Sequence, residues 1–439
     1  MRNHRSRIPG LLLVFLCCLP ALAAERIHDL RPTLIVVSLD GFRPDYIEHF
    51  NTPNLRRIMD QGVHAKYLIP SFPTKTFPNH QTIATGLYPA HHGIVANYMY
   101  DPDLKEKFDK KTPAVMKDAR WWGGEPIWVT AEKQGLRTAP LMWPGAMVER
   151  PGMRPSFTQE FDKKATSNDR VDKLVSLFDL PPDQRPQLLM LYLDIVDQAG
   201  HDYGPHSQQV REAVELADAA IGRLIEALKD RGIDNDVNLV VVSDHGMSSQ
   251  SPKKVIYLDQ YLDMSTVDLI DSTPLLNLLP KDGDYEALYG KLKKVPHAKV
   301  YHASEVPQRW HYSGSHRIPP VFLLANDGWT ITTHAYLETH KFEYGNHGFD
   351  NDSKNMHATF LAGGPAFQHG TMKPFANVNL YSLFAYLLNL TPAQTDGSLK
   401  VFQNVLVPRT QTQPSKKELA PWQKEWDEVA QYHPLAVGH

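Results

Sequence analysis

The sequence has almost no cysteine. Its two cysteines, Cys17 and Cys18, lie within the first 23 of 439 residues. The rest of the chain can therefore form neither disulfide bonds nor thiolate metal sites, and any metal ion must be bound by histidine and carboxylate side chains. The composition has no collagen-like, coiled-coil or disordered signature, and 42% hydrophobic residues are enough for a large buried core.

Long hydrophobic runs are also scarce, and the clearest one lies near the N-terminus. Arg2, Arg5 and Arg7 precede an apolar run at 11–19 and a small-residue cleavage site at 21–23. This pattern predicts a signal peptide, residues 1–23, and an exported protein that is periplasmic or secreted. The alternative is a membrane anchor. The run is short for a bilayer span, so we expect no stable anchor after the signal peptide is removed.

The chain has little excess charge of either sign. Its formal net charge is −3, and removal of the signal peptide takes away three arginines and no acid, which gives −6. A mildly acidic surface disfavours broad electrostatic binding of nucleic acid. We therefore expect no specific nucleic-acid binding, and nothing in the sequence specifies an oligomeric state.

Three apolar runs predict buried strands, at 34–39, 188–193 and 237–242. Amphipathic patterns predict helices at 53–61 and 207–231. Strands without alternation, separated by helices, predict an α/β protein with a mostly parallel central sheet covered by helices on both faces. Ligand sites in such sheets lie beyond the carboxyl ends of the strands. Asp40, Asp197, Asp244 and His245 follow strands and are expected at that edge.

The predicted domain organisation is simple. Residues 24–408 are expected to form one catalytic domain. Within it, residues 252–343 change to a mixture of short strands, which predicts a smaller inserted subdomain. Residues 409–439 are expected to be a polar C-terminal tail with a short surface helix at 419–431.

The segment 71–86, SFPTKTFPNHQTIATG, surrounds Thr76 with prolines at 73 and 78. Prolines fix the backbone and remove amide donors, so this segment is predicted to be a rigid turn, with a helix starting near residues 82–85. A rigidly presented hydroxyl is what a nucleophile requires.

Six side chains have the chemistry and spacing of metal ligands, and they divide into two groups of three. Three protein ligands with one open position are typical of catalytic zinc, and two such ions suit an in-line phosphoryl displacement. For any single pair a structural role is an equally good interpretation, because a chain with 21 histidines contains Asp-His neighbours by chance. The six are Asp40, Asp197, His201, Asp244, His245 and His347.

Five motifs together resemble a known family. They are SLDGFRPDY at 38–46, the segment 71–103 that begins SFPTKTF, DQAGHDYGP at 197–205, SDHGM at 243–247 and NHGFDN at 346–351. In this order they are similar to the nucleotide pyrophosphatase/phosphodiesterase family of the alkaline phosphatase superfamily. The resemblance extends from about residue 32 to 390 and implies an alkaline phosphatase-like fold.

The resemblance also implies a mechanism with two zinc ions. Thr76 would attack phosphorus in line, form a covalent threonyl intermediate and expel the first product, and water would then release the second. The ligands implied for one zinc are Asp197, His201 and His347, and those implied for the other are Asp40, Asp244 and His245, beside the Thr76 oxygen.

Three further residues take roles from the resemblance. Asn97, helped by the backbone amide of Phe77, would donate to a non-bridging phosphate oxygen, although a turn asparagine is the alternative. The Phe77 ring would stack on a nucleobase. Phe161 stands where the family often has tyrosine, and it is either a second wall for the base or a plain core residue.

The sequence therefore predicts an enzyme that hydrolyses phosphodiester or pyrophosphate bonds of small nucleotides to nucleoside 5′-monophosphates. A phosphomonoesterase or a lipid or choline phosphodiesterase on the same fold is one alternative. A non-catalytic binding protein is another, although all seven nucleophile and ligand positions are filled.

Overall fold

The structure is a computed structural model that describes residues 24–150 and 154–407. The predicted signal peptide at 1–23 and the predicted tail at 409–439 lie outside the described residues. The strands are β1 (Thr33–Leu39), β2 (Val63–Ala65), β3 (Leu68–Ile69), β4 (Tyr98–Asp101), β5 (Glu106–Asp109), β6 (Thr138–Leu141), β7 (Leu188–Leu193), β8 (Val237–Val242), β9 (Ser248–Ser249), β10 (Val255–Tyr257), β11 (Val267–Asp271), β12 (Leu275–Pro280), β13 (Ala298–His302), β14 (Val321–Ala325), β15 (Thr330–Thr332), β16 (Gly345–Asn346), β17 (Phe360–Gly363), β18 (Gly370–Met372) and β19 (Phe375–Ala376).

The helices are α1 (Tyr46–His49), α2 (Pro53–Gln61), α3 (Thr76–Thr85), α4 (Pro89–His92), α5 (Pro113–Lys117), α6 (Ile127–Lys133), α7 (Ser167–Val175), α8 (Ile195–Tyr203), α9 (Gln208–Asp230), α10 (Tyr285–Leu292), α11 (His334–Thr339) and α12 (Leu380–Leu387). In the part of the chain that the structure describes, no helix combines the length and the apolar character needed to span a membrane.

The centre of the fold is a seven-stranded sheet in the order β18-β2-β17-β8-β1-β7-β6. The pairs β1 with β7, β1 with β8, β6 with β7 and β18 with β2 are parallel. Only β17 runs antiparallel, to both of its neighbours. The prediction of a mostly parallel central sheet is confirmed, and the three predicted strands are its central members β1, β7 and β8.

Both faces of this sheet are covered by helices. In β1, Ile35 and Val37 pack with residues of α7 and α9, whereas Leu34 and Val36 pack on the other face with α3, α6 and α12. Every residue of β1 is buried. Burial on both faces explains why the strand sequences are apolar throughout and do not alternate.

A second sheet lies within the segment predicted to be an insert. It is antiparallel, has the order β11-β12-β14-β13, and packs with α10 around a separate core that includes Leu276 and Leu323. Arg317 attaches this region to the hairpin of β4 and β5. Its Nε donates to Asp101 at 2.7 Å, and its terminal nitrogens donate to the carbonyl groups of Arg120 and Trp121. The bounds of the insert remain a prediction.

The prediction of a rigid turn over 71–86 is wrong from Thr76 onward, where α3 begins. Lys75 is the extended N-cap residue, and Gly86 ends the helix with a φ of 68°. Pro78 is the third residue of the helix, where a missing amide hydrogen breaks no intrahelical bond. Thr76 therefore lies in the first turn of α3, and a helix of ten residues holds it in place.

Candidate active site

The site lies at the carboxyl ends of three adjacent parallel strands. Asp40 follows β1 directly, and Asp244 follows β8 after one residue. Helix α8 begins just after β7 and carries Asp197 in its first turn. His201 is four residues later on the same helix, so both side chains project from one face. Asp197 is therefore held by a helix and not directly by a strand end.

Asp40, Asp244 and His245 form the first set of candidate ligands, and all three are buried. His245 Nε2 lies 3.2 Å from Asp40 Oδ1 and 3.1 Å from Asp244 Oδ2. The Nδ1 atom of His245 lies 2.9 Å from the carbonyl oxygen of Gly246. A carbonyl oxygen can only accept, so Nδ1 carries the hydrogen and the lone pair of Nε2 faces the two carboxylates.

Asp197, His201 and His347 form the second set. Oxygen atoms of Asp197 lie 3.5 Å from His201 Nε2 and 3.6 Å from His347 Nε2. Nδ1 of His201 donates to the carbonyl oxygen of Gly345 at 3.0 Å, and Nδ1 of His347 donates to that of Thr74 at 2.8 Å. Both imidazoles therefore present Nε2 to the same carboxylate.

The two sets adjoin, and Thr76 lies beside the first. The rings of His245 and His347 stack with their centres 3.5 Å apart and an interplanar angle of 12°. The Thr76 hydroxyl lies 3.3 Å from His245 Nε2. The structure thus brings all six predicted ligands and the predicted nucleophile into one cluster.

The unpaired atoms of this cluster fit two divalent cations. Asp40 Oδ1, Asp197 Oδ1 and Asp244 Oδ2 are buried and have no hydrogen-bond partner among the described residues. Each faces an imidazole Nε2 that has no hydrogen to donate, an arrangement that costs free energy unless positive charge lies between the atoms. Four-coordinate zinc with bonds of about 2.0 Å separates neighbouring ligand atoms by about 3.3 Å. The observed separations of 3.1 to 3.6 Å bracket that value.

The pKa shifts of the buried carboxyl and imidazole groups also indicate that positive charge would stabilise this cluster. Burial, followed by the charges of Asp197 and Asp244, raises the pKa of Asp40 well above its ordinary value. Burial and the charge of Asp197 raise the pKa of Asp244 to about 8. Burial, with the neighbouring histidines and Lys75, lowers the pKa of His347 far below its usual range. Cations at this site would reverse the shifts of the carboxyl groups by stabilising the carboxylates, and they would bind the neutral form of the imidazole, which the lowered pKa of His347 already favours.

His201 is the most exposed of the three imidazoles, and an additional acid lies beside it. Burial by itself lowers the pKa of His201, but the charge of Asp197 and the contact with Glu343 raise it to about 9. Glu343 Oε2 lies 3.3 Å from His201 Nδ1 and also accepts a hydrogen bond from Asn346. Glu343 therefore helps to fix the imidazole from outside the cluster.

Three residues that support the cluster were not predicted from the sequence. The Tyr192 hydroxyl donates to Asp40 Oδ2, and the amide of Gly41 donates to Asp244 Oδ1 at 3.2 Å. Thr74 orients His347 through its carbonyl group. Tyr192 is the one residue with a polar group in the apolar run LLMLYL, and this was the signal in the sequence that could have identified it. Thr74 belongs to the motif that begins SFPTKTF.

Gly41 has a second role that depends on the absence of a side chain. Its φ is 66°, and a Cβ at this position would lie 3.1 Å from Asp197. The turn after β1 therefore needs glycine to let Asp197 approach.

Asn97 and Phe77 contact each other directly. The buried Asn97 accepts a hydrogen bond from the Phe77 amide through Oδ1 at 3.0 Å. The amide hydrogen of Phe77 is thus engaged by Asn97 in this structure, and the expectation that this amide helps to bind the phosphate stays a prediction. The same bond orients the side-chain amide of Asn97, so that Nδ2 is its remaining donor.

Phe77 and Phe161 occupy different positions around the site. Phe77 is partly exposed, and its ring contacts Phe108 and Trp122 at centre distances of 6.3 and 6.2 Å. Phe161 is 48% exposed, so its interpretation as a core residue is wrong. The Arg170 guanidinium lies over its ring at 5.0 Å. The ring of Phe161 is therefore an exposed surface, and its role as a second wall for the base stays a prediction.

A third group of acids and histidine has a different character. Asp101, Asp103 and His316 lie close together, but both carboxylate oxygens of Asp101 already have partners. One accepts from the amides of Asp103 and Leu104, and the other accepts from Arg317. This group is an ion-pair cluster, whereas the carboxylates beside Thr76 keep unpaired oxygens.

Comparisons with known proteins identify a matching family model, similar sequences and similar structures. Residues 34–350 match the family model described as type I phosphodiesterase / nucleotide pyrophosphatase. The chain is 42% identical over 381 residues to an uncharacterized pyrophosphatase/phosphodiesterase of Schizosaccharomyces pombe, with coverage of 83% of this chain and 78% of the relative. It is 37% identical over 394 residues to human ectonucleotide pyrophosphatase/phosphodiesterase family member 5, with coverage of 88% and 81%.

Other relatives are longer than this chain. The venom phosphodiesterase of Naja atra is 38% identical over 406 residues, which cover 88% of this chain and 48% of the relative. The chain thus spans about half the length of that enzyme.

Solved structures of similar proteins have the same fold. Murine ectonucleotide pyrophosphatase/phosphodiesterase 5 superposes with a TM-score of 0.81 at 39% identity, over 85% of this chain and 100% of that chain. An inactive threonine-to-alanine variant of the murine protein, in complex with AMP, superposes with a TM-score of 0.81 at 38% identity over the same 85% of this chain. The superpositions confirm the predicted fold class.

Proposed function

This chain belongs to the type I phosphodiesterase/nucleotide pyrophosphatase family of hydrolases, and from that premise we propose a substrate class and a mechanism for it. The enzyme hydrolyses phosphodiester or pyrophosphate bonds of small nucleotides and releases nucleoside 5′-monophosphates through a covalent intermediate on Thr76. The observation that carries the proposal is the Thr76 hydroxyl, 3.3 Å from the Nε2 atom of His245. That atom in turn faces two buried carboxylate oxygens that have no hydrogen-bond partner among the described residues.

Two zinc ions are the proposed cofactors. Asp197, His201 and His347 hold one, and Asp40, Asp244 and His245 hold the other, beside the Thr76 oxygen. When bound, the two cations supply positive charge that lowers the pKa of a neighbouring hydroxyl and offsets the charge of a phosphoryl group during an in-line displacement. Nitrogen and oxygen donors in sets of three suit zinc.

The proposed reaction consists of two successive displacements at phosphorus. In the first, the Thr76 hydroxyl loses its proton to solvent and the Thr76 Oγ1–phosphorus bond forms as the bond to the leaving group breaks. In the second, the oxygen of water bonds to phosphorus, the Thr76 Oγ1–phosphorus bond breaks, a proton from that water restores the Thr76 hydroxyl, and the nucleoside monophosphate leaves. The position of Thr76 at the start of α3 supports this role, because a helix N-terminus favours the negative charge of a phosphoryl group.

Asn97 is proposed to stabilise charge on the phosphoryl group. Its Oδ1 is held by the Phe77 amide, which leaves Nδ2 to donate to a non-bridging oxygen. A donor that is fixed before the reaction needs no reorganisation as charge develops.

Phe77 is proposed to stack on the nucleobase of the retained nucleotide, because its ring directly follows the nucleophile and is partly exposed. Phe161 is proposed as a second wall. It lies 5.9 Å, between ring centres, from Tyr192, and Tyr192 donates to Asp40. Aromatic stacking contributes about 1 to 3 kcal/mol per base and tolerates different bases. The AMP complex of the murine relative supports a nucleotide as the ligand.

Export is proposed together with this activity. The predicted signal peptide supports it, and the relatives include a venom phosphodiesterase. A small nucleotide outside the cytoplasm is the proposed substrate.

A matched set of chromogenic substrates tests the substrate class. We expect purified enzyme to hydrolyse nitrophenyl thymidine 5′-monophosphate much faster than nitrophenyl phosphate or nitrophenyl phosphocholine, measured as kcat/KM. Thr76→Ala should abolish all three activities while the unfolding temperature stays close to that of the wild type.

Each of the other outcomes contradicts a specific part of the proposal. A preference for nitrophenyl phosphate would indicate a phosphomonoesterase, and a preference for the phosphocholine ester would indicate a lipid or choline phosphodiesterase. Full activity of Thr76→Ala would exclude the covalent intermediate on Thr76. Absence of all activity in metal-loaded wild-type protein would indicate a binding protein.

A further inference from the structure

Arg170 is a buried cation at the edge of the candidate site, and it has no role in the proposed mechanism. It lies in α7, and its side chain is only 4% exposed. Nη1 donates to Asp194 Oδ1 at 2.8 Å and to the carbonyl oxygen of Tyr192 at 3.1 Å. Nε donates to the carbonyl oxygen of Ala165 at 3.2 Å, and Nη2 donates to that of Asp162 at 3.1 Å. The guanidinium group is therefore fixed between the end of β7 and the segment that leads into α7.

The same guanidinium group supports the ring of Phe161. Its central carbon lies over that ring, 5.0 Å from the ring centre, which is a cation–π contact. The Tyr192 ring also contacts Phe161, with the centres 5.9 Å apart and an interplanar angle of 54°. Because the Tyr192 hydroxyl donates to Asp40, these contacts connect Phe161 to the candidate metal ligands. The Phe161 side chain is still 48% exposed, so part of its ring is accessible to a ligand.

The backbone around Phe161 gives its ring little support. Residues 160–165 form neither helix nor strand. On one side of Phe161, the ion pair of Glu160 with Lys117 is largely exposed, and exposed ion pairs contribute little. On the other side, the carbonyl group of Asp162 is held by the buried Arg170. Arg170 is thus the stronger anchor of this segment.

An anchored ring binds a ligand at lower cost than a mobile one. An exposed aromatic side chain on an irregular segment samples several rotamers, and fixing it when a ligand binds costs free energy. A guanidinium group that is itself fixed by four hydrogen bonds lowers this cost before the ligand arrives.

Building on the proposed function, in which Phe161 is a second wall for the nucleobase, we propose that Arg170 is a positioning residue for nucleotide binding. It holds the Phe161 ring in the orientation that stacks on the base, and it acts on the substrate through that ring. Arg170 therefore favours diesters that carry a nucleobase over diesters that carry a small alkyl group.

Arg170→Lys is the variant that tests this role. Lysine keeps a positive charge for the buried carboxylate of Asp194, whereas a neutral residue would leave that carboxylate unpaired. Lysine lacks the planar fork that reaches the carbonyl groups of Asp162 and Ala165. Thermal unfolding checks that the variant is folded. Arg170→Gln combined with Asp194→Asn removes both charges together and gives the same comparison if Arg170→Lys does not fold.

Two diesters with the same leaving group measure the effect. Nitrophenyl thymidine 5′-monophosphate and nitrophenyl methyl phosphate differ only in the group that is retained on phosphorus. In Arg170→Lys we expect kcat/KM for the thymidine ester to fall about fivefold to tenfold, mainly through a higher KM, because a stacking contact is weakened. The value for the methyl ester, which has no base to stack, should change by less than about twofold.

Arg223→Met is the matched control. Arg223 is half-exposed and pairs with Asp172 on the same helix α7. Its removal disturbs an ion pair of that helix without affecting the anchor of Phe161, so both kcat/KM values should change by less than about twofold.

A double variant shows whether Arg170 acts through Phe161. Phe161→Ala alone should lower kcat/KM for the thymidine ester by about tenfold, as expected for the loss of one stacking contact. Adding Arg170→Lys to Phe161→Ala should lower it further by less than about twofold, because the ring that Arg170 positions is already absent.

The outcomes separate this proposal from the proposed function. Unchanged hydrolysis of the thymidine ester by Arg170→Lys would overturn the positioning role. An equal loss with both diesters would overturn it too, and so would a loss that persists undiminished beside Phe161→Ala. None of these results would contradict the nucleotide phosphodiesterase activity of the wild type. A wild type that hydrolyses the thymidine ester no faster than the methyl ester would contradict the proposed function itself.

Discussion

The imidazole rings of the candidate metal site are each oriented by a main-chain carbonyl group. Gly246 holds His245, Gly345 holds His201, and the carbonyl group of Thr74 holds His347. In each ring this bond fixes the hydrogen on Nδ1 and leaves Nε2 to face a carboxylate. Histidine ligands of metals commonly have such an orienting partner. The site is therefore preorganised by the backbone as well as by its side chains.

Asn97 offers a direct test at the scale of one residue. Asn97→Asp keeps the shape of the side chain and the acceptor for the Phe77 amide, but it replaces the N–H donor with a negative charge. We expect kcat for nitrophenyl thymidine 5′-monophosphate to fall about 100-fold, as when one preorganised donor is removed. Steady-state kinetics measure the change, and thermal unfolding checks that the variant is folded. Activity within about threefold of the wild type would contradict the role given to Asn97.

The sequence was sufficient to predict the residues of the cluster but not all of its contacts. The motifs identify Asp40, Asp244 and His347 without reference to a structure. The donation from Tyr192 to Asp40 and the engagement of the Phe77 amide by Asn97 depend on distances that neighbouring residue types do not specify. Main-chain partners such as the carbonyl group of Thr74 are even harder to predict, because every residue has one.

At the scale of elements, two short helices position the reactive groups. Helix α8 places Asp197 and His201 one turn apart on one face, as their spacing of four residues suggested. Helix α3 begins at Thr76, although its prolines suggested a turn. The sequence pattern misled because a proline at the third position of a helix is compatible with the helix, whereas the same residue further along would break it.

The contact between the inserted region and the β4–β5 hairpin is expected to depend on pH. Burial by itself would raise the pKa of Asp101, but the amide of Leu104 and the Arg317 guanidinium outweigh it and lower the pKa to about 2. A carboxyl group whose pKa is depressed in the folded protein stabilises the fold above its unfolded pKa and loses that contribution as the pH falls. The window here runs from about pH 4 down to about pH 2.

Asp101→Asn isolates this contribution. The difference in free energy of unfolding between wild type and variant should shrink by about 1 kcal/mol between pH 5 and pH 3, as the unfolded wild type takes up a proton that the folded wild type resists. Urea unfolding at a series of pH values measures it. A difference that stays constant over this range would show that the ion pair with Arg317 does not hold the carboxylate in its charged form.

On the scale of the whole molecule, burial of the central strands on both faces made the architecture predictable. The apolar runs of β1, β7 and β8 and the helix α9 between two of them indicate a parallel sheet, and the residues that follow these strands form one edge. The direction of β17 was not predictable in the same way. Its sequence FLAG is a short apolar run that fits either direction, and the antiparallel pairing with β2 and β8 is set by the path of the chain before it.

The metal content of the purified protein tests the central claim most directly. We expect elemental analysis of protein prepared without chelator to give about two zinc ions per chain, since each set of three ligands holds one ion. His245→Ala and His347→Ala each remove one ligand from a different set and should each retain about one ion. His91→Ala is the matched control, because His91 is exposed and paired with Asp396, and it should retain two. A wild-type protein with no zinc or with one ion, or a His347→Ala protein that still holds two, would contradict the two-ion site.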